Sequence, residues 1–314
     1  MRNALIDLLC ELADNDPDIW LLTADLGYSV LERFAERFPE RYINVGVAEQ
    51  NMVGIAAGLA LSGKRVVIYS IVNFVTMRCL EQIRNDICAH GANVVIVGVG
   101  AGYSYGAQGY THHGLEDISV MRALPGLDVT APGNCLEAEA VLRVAMQHDG
   151  PTYIRLEKDA GASASLPLKD IERGRMACYR EGGHAAIVAT GGMLGEALGA
   201  AELLERDGLS VAVWSCPWIT PLDTATLDLL TQRHDVILTA EEGVINGGLG
   251  SATALALANV AAKSRLLVAG VGEVLSVPTL SQTSARNYHA LDAAGLAARL
   301  LSVCSGHEVS DLLG

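Results

Sequence analysis

The sequence has few aromatic and few charged residues. Phe, Trp and Tyr make up only 5% of its 314 residues and charged residues only 18%, whereas half of the residues are hydrophobic. With so few rings, a core must be aliphatic and rich in Ala and Gly, which is typical of helices packed closely on sheets. No uncharged stretch reaches the roughly 18 residues that a membrane-spanning helix needs. We therefore expect an α/β protein without a membrane span.

Basic residues are also scarce. The chain has 22 Lys and Arg against 36 Asp and Glu, which gives a net charge of −14. This balance disfavours nonspecific attraction to nucleic acid or to anionic membranes, because both attract basic patches. Small molecules and other proteins are left as the expected partners.

The cysteines lack the spacing of a metal or disulfide motif. There are seven, an odd number, and no two of them form a C-x-x-C pair. We expect reduced, mostly buried thiols, as in proteins of reducing compartments. The N-terminal residues contain no basic region followed by a cleavable apolar segment. The sequence therefore predicts a cytoplasmic location.

Apolar, β-branched runs alternate with helical patterns along the chain. In residues 1–158 the predicted strands are 20–23, 65–70, 93–99, 127–130 and 152–156, and the predicted helices are 3–14, 49–61, 77–89, 116–123 and 137–147. A polar stretch with Gly and Ser, 159–183, is predicted to be a linker. In residues 184–314 the predicted strands are 185–189, 210–214, 235–240 and 265–269, and the predicted helices are 194–207, 222–231 and 250–261. This alternation predicts two doubly wound α/β domains with mostly parallel sheets.

Glu49 is a lone acid among small and apolar residues. It lies in Gly46-Val47-Ala48-Glu49-Gln50-Asn51-Met52, and the Gly- and Ala-rich run 53–60 follows. We do not expect a carboxylate in such surroundings to lie on a freely solvated face, and acids of this kind are common where protons are moved. The alternative is an ordinary acid in the first turn of a helix, where it is favourable.

Three further segments contain residues suited to binding. Phe74 opens a block that ends in Glu81-Gln82-Ile83-Arg84, residues 98–113 form a Gly-rich stretch after a predicted strand, and residues 150–158 end the first domain. Glycines let a backbone approach a cofactor closely, and α/β sheets bind ligands beyond the carboxyl ends of their strands. A flat heteroaromatic ring favours a flat apolar partner such as Phe74, although ordinary core packing is the alternative.

In this order, the four segments resemble the pyrimidine-binding domain of transketolases and of 1-deoxy-D-xylulose-5-phosphate synthases, which use thiamine diphosphate. The resemblance implies that Glu49 is the catalytic glutamate, which hydrogen-bonds the pyrimidine nitrogen of the cofactor. It also implies cofactor contacts from Arg78 and from a stacking residue, which is Val75 by direct counting and Phe74 if the alignment shifts by one residue.

The Gly-rich stretch contains two candidate histidines. His112 lies where the family has a substrate-contacting histidine, and His113 is a second candidate beside it. A histidine there can donate a hydrogen bond to a developing alkoxide or move a hydroxyl proton. For both residues the alternative is a solvated loop histidine.

The sequence departs from the family pattern at several substrate positions. Gln108 replaces an aspartate that helps to read a substrate hydroxyl, Tyr110 replaces a proline, and Gly100 replaces a phosphate-binding histidine. Lys158 lies where a phosphate-binding arginine is common, and lysine lacks the bidentate fork of arginine. The resemblance therefore implies an altered sugar substrate, with Gln108 and Lys158 joining the two histidines as candidate binding residues. An ordinary surface lysine remains the alternative at 158.

The family's Gly-Asp-Gly motif does not occur in this sequence. In the family that motif belongs to the site for the diphosphate and a divalent metal, whose oxygen ligands suit Mg²⁺ or Ca²⁺. We therefore assign no metal ligand to this chain, and the resemblance implies a partner subunit that supplies the site.

The resemblance as a whole implies the C-terminal subunit of a split transketolase, in an α2β2 assembly that moves a two-carbon ketol unit from a ketose to an aldose. Two alternatives are the β-subunit of a 2-oxoacid dehydrogenase and a noncatalytic scaffold. The second domain resembles the family's C-terminal domain, so we expect no catalytic residue there. Glu242 is expected either to brace an interface or to lie in a solvated turn.

Overall fold

The computed structural model describes residues 1–158, 161–163, 171–260, 262–272 and 281–304. The strands are β1 (Ile19–Thr23), β2 (Tyr42–Asn44), β3 (Arg65–Ile71), β4 (Val94–Val99), β5 (Asp128–Thr130), β6 (Thr152–Leu156), β7 (Ala177–Arg180), β8 (Ala185–Ala189), β9 (Val211–Ser215), β10 (Trp218–Thr220), β11 (Val236–Val244) and β12 (Arg265–Val271). The helices are α1 (Arg2–Asn15), α2 (Glu32–Arg37), α3 (Glu49–Leu61), α4 (Val72–Val75), α5 (Leu80–Gln82), α6 (Asp117–Arg122), α7 (Cys135–Gln147), α8 (Met193–Arg206), α9 (Thr224–Arg233), α10 (Leu249–Leu257), α11 (Gln282–Tyr288) and α12 (Ala293–Cys304).

Two mostly parallel sheets organise these elements. The first has seven strands in the order β10-β5-β6-β4-β3-β1-β2, and the second has five in the order β12-β11-β8-β9-β7. Among the described strands, only β10 and β7 run antiparallel to their neighbours. The prediction of two α/β domains is confirmed, with the addition that β10, from the second part of the chain, completes the first sheet.

The strands follow from their composition. Strand β4 is an unbroken apolar run, and all six of its residues are buried because helices cover both faces of the sheet. Helices α1 and α7 pack on one face. Helix α3 packs on the other.

The predicted helix over 77–89 is wrong as a continuous element. The segment contains α5, a π turn at Ile83–Ile87 and a 3₁₀ turn at Cys88–His90. Before it, the Thr76 hydroxyl donates to the Val72 carbonyl at 2.7 Å. Such side-chain bonds compete with the regular helical ladder, and π turns insert an extra residue into it.

The predicted linker over 159–183 contains regular structure. Strand β7 lies inside it and pairs with β9 at the edge of the second sheet. Arg173 also forms two hydrogen bonds, of 2.6 and 2.8 Å, to the Asp128 carboxylate of the first domain. Residues 159–160 and 164–170 lie outside the described residues, and the domain boundary at 158 stays a prediction.

The cysteines are thiols, three of them buried, three half-buried and one, Cys304, exposed. Across the described residues, no helix combines the length and the apolar character needed to cross a bilayer.

Glu241, on β11, is a buried carboxylate that caps a helix. Its two oxygens accept hydrogen bonds from the backbone N–H groups of Leu249 and Gly250, at 2.8 and 2.9 Å, at the start of α10. Burial raises the pKa of Glu241 from an ordinary 4.5 to about 7, although the two backbone bonds oppose the shift. Because the pKa is higher in the folded state, the contribution of Glu241 to stability is fully present below about pH 4.5 and is lost as pH rises to about 7.

We expect Glu241→Gln to remove this pH dependence. The variant loses a hydrogen bond, because its amide NH₂ faces a backbone N–H, but its side chain does not titrate. The free energy of unfolding of the variant relative to the wild type should therefore rise between about pH 5 and pH 7 and level off above that range. Urea denaturation at a series of pH values measures this difference, and parallel curves for the two proteins would contradict it.

Candidate active site

Glu49 is the first residue of α3, as predicted, and its side chain is buried. Only 3% of that side chain is exposed, and Arg78 Nη1 donates to Glu49 Oε2 at 2.7 Å. A carboxylate in the first turn is favoured by the free N–H groups of the helix. The glutamate faces a pocket whose other lining residues are Val47, Ala48, Gln50, Asn51 and Arg78.

Phe74 and His112 lie next to the ion pair of Glu49 and Arg78. The Arg78 guanidinium lies 4.5 Å from the centroid of the Phe74 ring, a cation–π distance. The Phe74 ring in turn meets the edge of the His112 ring at a centroid distance of 5.3 Å. We call Glu49, Arg78, Phe74 and His112 the Glu49 cluster. The structure thus joins four of the sequence-predicted residues from three separate segments.

Val75 does not belong to the cluster. Its side chain is fully buried in the core that also contains Met52 and Val53 of α3. Because adjacent residues of the short helix α4 point in different directions, only Phe74 of the two faces Arg78. The cofactor contact therefore stays a prediction, and of the two candidates Phe74 is the one that lies beside Arg78.

His112 and His113 lie in a closed loop. Gly102 and Gly114 exchange two backbone hydrogen bonds of 2.8 and 2.9 Å, which join the ends of the segment 100–114. We call this segment the histidine loop. It contains two 3₁₀ turns, Gly106–Gln108 and Tyr110–His112.

The two histidines have different surroundings. His112 is half-buried, and its Nδ1 lies 3.0 Å from the Thr111 hydroxyl. His113 is 2% exposed, and its Nε2 lies 3.1 Å from the Gly106 carbonyl inside the loop. The idea that His113 is a solvated histidine is therefore wrong. His113 supports the loop from inside, whereas His112 contacts Phe74 in the Glu49 cluster.

The other two predicted substrate residues lie at the surface. The side chains of Gln108 and Lys158 are both exposed. The backbone carbonyl of Lys158 accepts a 3.3 Å hydrogen bond from Arg2 Nε. Arg2 also lines a second pocket, which the sequence did not predict.

This second pocket lies at the carboxyl ends of β1, β3 and β4, and we call it the switch-point pocket. Its lining residues are Arg2, Leu26, Gly27, Tyr28, Tyr69, Ile71, Val99 and Tyr105. The strand order reverses between β1 and β3, and ligands of doubly wound sheets bind at such a reversal. No motif marks Arg2, so no sequence signal could have found it.

Tyr105 connects the switch-point pocket with the Glu49 cluster. Its ring meets the edge of the His112 ring at a centroid distance of 6.3 Å. It also covers Gly100, where a Cβ would lie 2.2 Å from Tyr105 Cε2 and where φ is +92°. The tyrosine ring therefore occupies the space that a histidine at position 100 would need.

The switch-point pocket has a cationic and phenolic lining. Burial raises the pKa of the Tyr69 phenol, and the charge of the nearby Arg2 opposes that shift. Tyr69 is therefore a neutral hydroxyl at any physiological pH. A guanidinium with phenol groups around it suits a small anion or a row of hydroxyl groups.

The Glu49 cluster fits the pyrimidine half of thiamine diphosphate. It offers a buried carboxylate for a ring nitrogen and a half-buried aromatic ring for stacking. In the part of the chain that the structure describes, no three or more His, Cys, Asp or Glu side chains group together as metal ligands.

Comparison with known proteins identifies the family of this chain. Residues 1–162 match the model of the transketolase pyrimidine-binding domain, and residues 174–296 match the model of the transketolase C-terminal domain. The chain therefore belongs to the transketolase family. Relatives of similar length include subunits of transketolases, as three examples illustrate.

One relative is the 6-deoxy-6-sulfo-D-fructose transketolase subunit SqwH of Clostridium sp. (strain MSTE9), 37% identical over 81% of this chain and 79% of the relative. Another is a subunit of the apulose-4-phosphate transketolase of Actinobacillus succinogenes, 32% identical over 96% of this chain and 98% of the relative. A solved structure described as a split gene transketolase, inactive β4 tetramer, superposes with a TM-score of 0.87 at 33% identity and covers 98% of both chains.

We expect Arg78→Ala to destabilise the isolated chain, because it leaves the buried Glu49 carboxylate without its cationic partner. The free energy of unfolding should fall by about 1–3 kcal/mol. Adding Glu49→Gln should restore part of the loss, since the charge is then gone. Urea denaturation of the four proteins in this cycle measures the coupling.

Arg84→Ala is the matched control for that cycle, because Arg84 is an exposed arginine that bonds only its neighbour Asn85 among the contacts described. We expect it to change stability by less than about 0.5 kcal/mol. Additive effects of Arg78→Ala and Glu49→Gln would show that the two side chains are not coupled.

Proposed function

We propose that this chain is the C-terminal, pyrimidine-binding subunit of a split thiamine-diphosphate-dependent transketolase. The enzyme is a transferase that moves a two-carbon ketol unit from a ketose to an aldose. The observation that carries the proposal is the buried Glu49 at the start of α3, paired with Arg78 and flanked by Phe74 and His112. The family membership and the length of the relatives support it.

The active site is completed by a second subunit. This chain would hold the pyrimidine half of the cofactor with Glu49 and Phe74, and a separate N-terminal subunit would hold the diphosphate and Mg²⁺ or Ca²⁺. Two copies of each subunit would form an α2β2 heterotetramer. The acidic balance of the chain fits small sugars and a protein as partners, without nucleic acid or membrane, in the cytoplasm.

When bound, thiamine diphosphate supplies the nucleophilic carbon and the electron sink for cleavage of a carbon–carbon bond next to a carbonyl. Glu49 would hold the pyrimidine half by a hydrogen bond between its carboxyl group and a ring nitrogen. Arg78 orients the Glu49 carboxylate through their 2.7 Å contact. Phe74 fixes the plane of the ring.

His112 transfers protons to and from the hydroxyl groups of the substrate. It lies next to Phe74, with its Nδ1 close to Thr111 Oγ1, so its Nε2 remains available to donate to or accept from a sugar hydroxyl. Gln108 contributes an uncharged amide at the exposed edge of the loop, where a family aspartate would carry a charge.

The far end of the sugar would lie in the switch-point pocket. Gly100 replaces a phosphate-binding histidine of the family, and the Tyr105 ring fills the space of that side chain. The guanidinium of Arg2, in the switch-point pocket, would bind the anion instead. Lys158, whose backbone carbonyl accepts a hydrogen bond from Arg2, would add a second cation. Relatives are named for a sulfonated sugar and for a sugar phosphate, so we propose an uncommon sugar with an anionic end as the substrate.

Glu49→Gln should abolish ketol transfer in the assembled enzyme without preventing assembly. The amide cannot exchange a proton with the pyrimidine nitrogen, so we expect turnover to fall by at least about 100-fold. The experiment is affinity purification of the chain from its native extract, identification of the partner by mass spectrometry, and assay of the complex with thiamine diphosphate and Mg²⁺.

A partner that contains Gly-Asp-Gly, with cofactor bound only by the complex, is the expected result. A lipoyl-domain partner would instead favour the 2-oxoacid dehydrogenase alternative. Full activity of Glu49→Gln, or a complex that binds no cofactor, would leave the scaffold alternative.

Arg2→Ala should weaken the binding of sugars with an anionic end. Loss of a charge-assisted hydrogen bond of about 1.5–3 kcal/mol should raise KM by about 10-fold or more, with little change in kcat. Arg33→Ala is the control, because Arg33 is half exposed and pairs with Asp7 on the surface. Equal KM values for a charged sugar in Arg2→Ala and the wild type would exclude the pocket as the anion site.

A further inference from the structure

The histidine loop is attached to the second domain through Tyr103. The Tyr103 backbone N–H donates to Glu242 Oε1, on β11, at 2.6 Å. The Tyr103 hydroxyl lies 2.9 Å from His289 Nε2, just after α11, and the two rings stack at a centroid distance of 5.6 Å. Tyr103 is fully buried, so both contacts form away from water.

Tyr103 transmits these contacts to the centre of the loop. Its ring meets the edge of the His113 ring at a centroid distance of 5.0 Å. His113 in turn bonds the Gly106 carbonyl, and Asn73 Nδ2 donates to the carbonyls of both Thr111 and His113. The backbone on either side of His112 is thereby fixed.

Glu242 is itself held in one orientation. Arg286 Nε donates to Glu242 Oε2 at 2.5 Å, and Gln282 Nε2 lies 3.2 Å from both carboxylate oxygens. Arg286 also pairs with Glu157 at 2.9 Å. Burial and the charge of Glu242 raise the pKa of Glu157, and the charge of Arg286 opposes that shift. The expectation of a solvated turn at Glu242 is wrong, since the residue is 1% exposed.

The loop and Glu242 are packed without spare room. At Gly102, φ is +58° and a Cβ would lie 2.4 Å from Glu242 Oε1. At the other end of the histidine loop, Arg155 Nη2 donates to the carbonyls of both Gly114 and Glu242, at 2.6 and 2.8 Å. Glu242 is therefore linked to both ends of the histidine loop, directly at Tyr103 and through Arg155 at Gly114.

We propose that Glu242 and His289 are positioning residues for His112. Through Tyr103 they hold His112 in the Glu49 cluster, although neither residue touches His112. The proposal deepens the proposed function and rests on it for its effect on turnover. It gives the second domain a part in the reaction that the sequence did not predict. A displacement of about 1 Å at a reacting group can lower a rate by about 100-fold.

The chain supplies a matched pair of variants. Glu241 and Glu242 are adjacent buried glutamates, and in each both oxygens accept from N–H donors. Glutamine at either position turns an NH₂ group toward one of those donors, and at position 242 it also removes the carboxylate charge that pairs with Arg286. Of the two, only Glu242 contacts the histidine loop in the described residues, because Glu241 caps α10.

In the assembled holoenzyme we expect Glu242→Gln to lower kcat by about 10- to 100-fold, with a much smaller change in KM. Glu241→Gln should keep the wild-type kcat per folded complex. Hydrogen exchange of the isolated chain, followed by mass spectrometry, should show faster exchange in residues 100–114 for Glu242→Gln and not for Glu241→Gln.

A second pair of variants isolates the His289 contact. Tyr103→Phe and His289→Phe each remove the same hydrogen bond and keep an aromatic ring. If the bond positions the loop, each should lower kcat, and the double variant should be no slower than the worse single variant.

Equal losses of kcat in Glu242→Gln and Glu241→Gln, or additive losses in the double variant, would overturn the proposal. Unchanged exchange in residues 100–114 would overturn it independently of any activity. If the wild-type complex itself transfers no ketol unit, the proposed function fails, and the exchange measurement alone then decides whether Glu242 holds the loop.

Discussion

The buried guanidinium of Arg155 is the interaction on which the arrangement of the two domains depends. It lies at the end of β6, only 2% exposed, and pairs with Asp117 at 2.9 Å. Its Nη2 donates to carbonyls of the histidine loop and of β11. A buried charge is stable only when it is paired and hydrogen-bonded. The sheet, the loop and the second domain must therefore meet in one geometry.

The same constraint explains how distant segments reach one site. Glu49 is presented by a helix, Phe74 and Arg78 by the irregular segment after β3, and His112 by a loop clamped from outside its own domain. Glu49 is supported by its ion pair with Arg78, and the histidine loop is supported by the fully buried Tyr103. The Glu49 cluster is therefore held together by contacts within this one chain.

Much of the fold and part of the site could be predicted from the sequence. The periodic patterns indicated the main strands and helices, and the composition around Glu49 singled out the residue that starts α3. The break in the helix after Thr76 could not be predicted, since it depends on a side-chain bond and a π turn. The burial of Val75 and Glu242 could not be predicted because burial is decided by tertiary packing. Arg2 carries no local pattern at all and acquires its place only when α1 meets the ends of three strands.

Strand β10 has a consequence for the modularity of the chain. It comes after three strands of the second sheet, yet it pairs with Asp128–Thr130 of β5 in the first. A cut anywhere between the two domains would leave β5 with a row of unsatisfied backbone groups, which is a template for self-association. The two domains are therefore interlocked rather than joined in series.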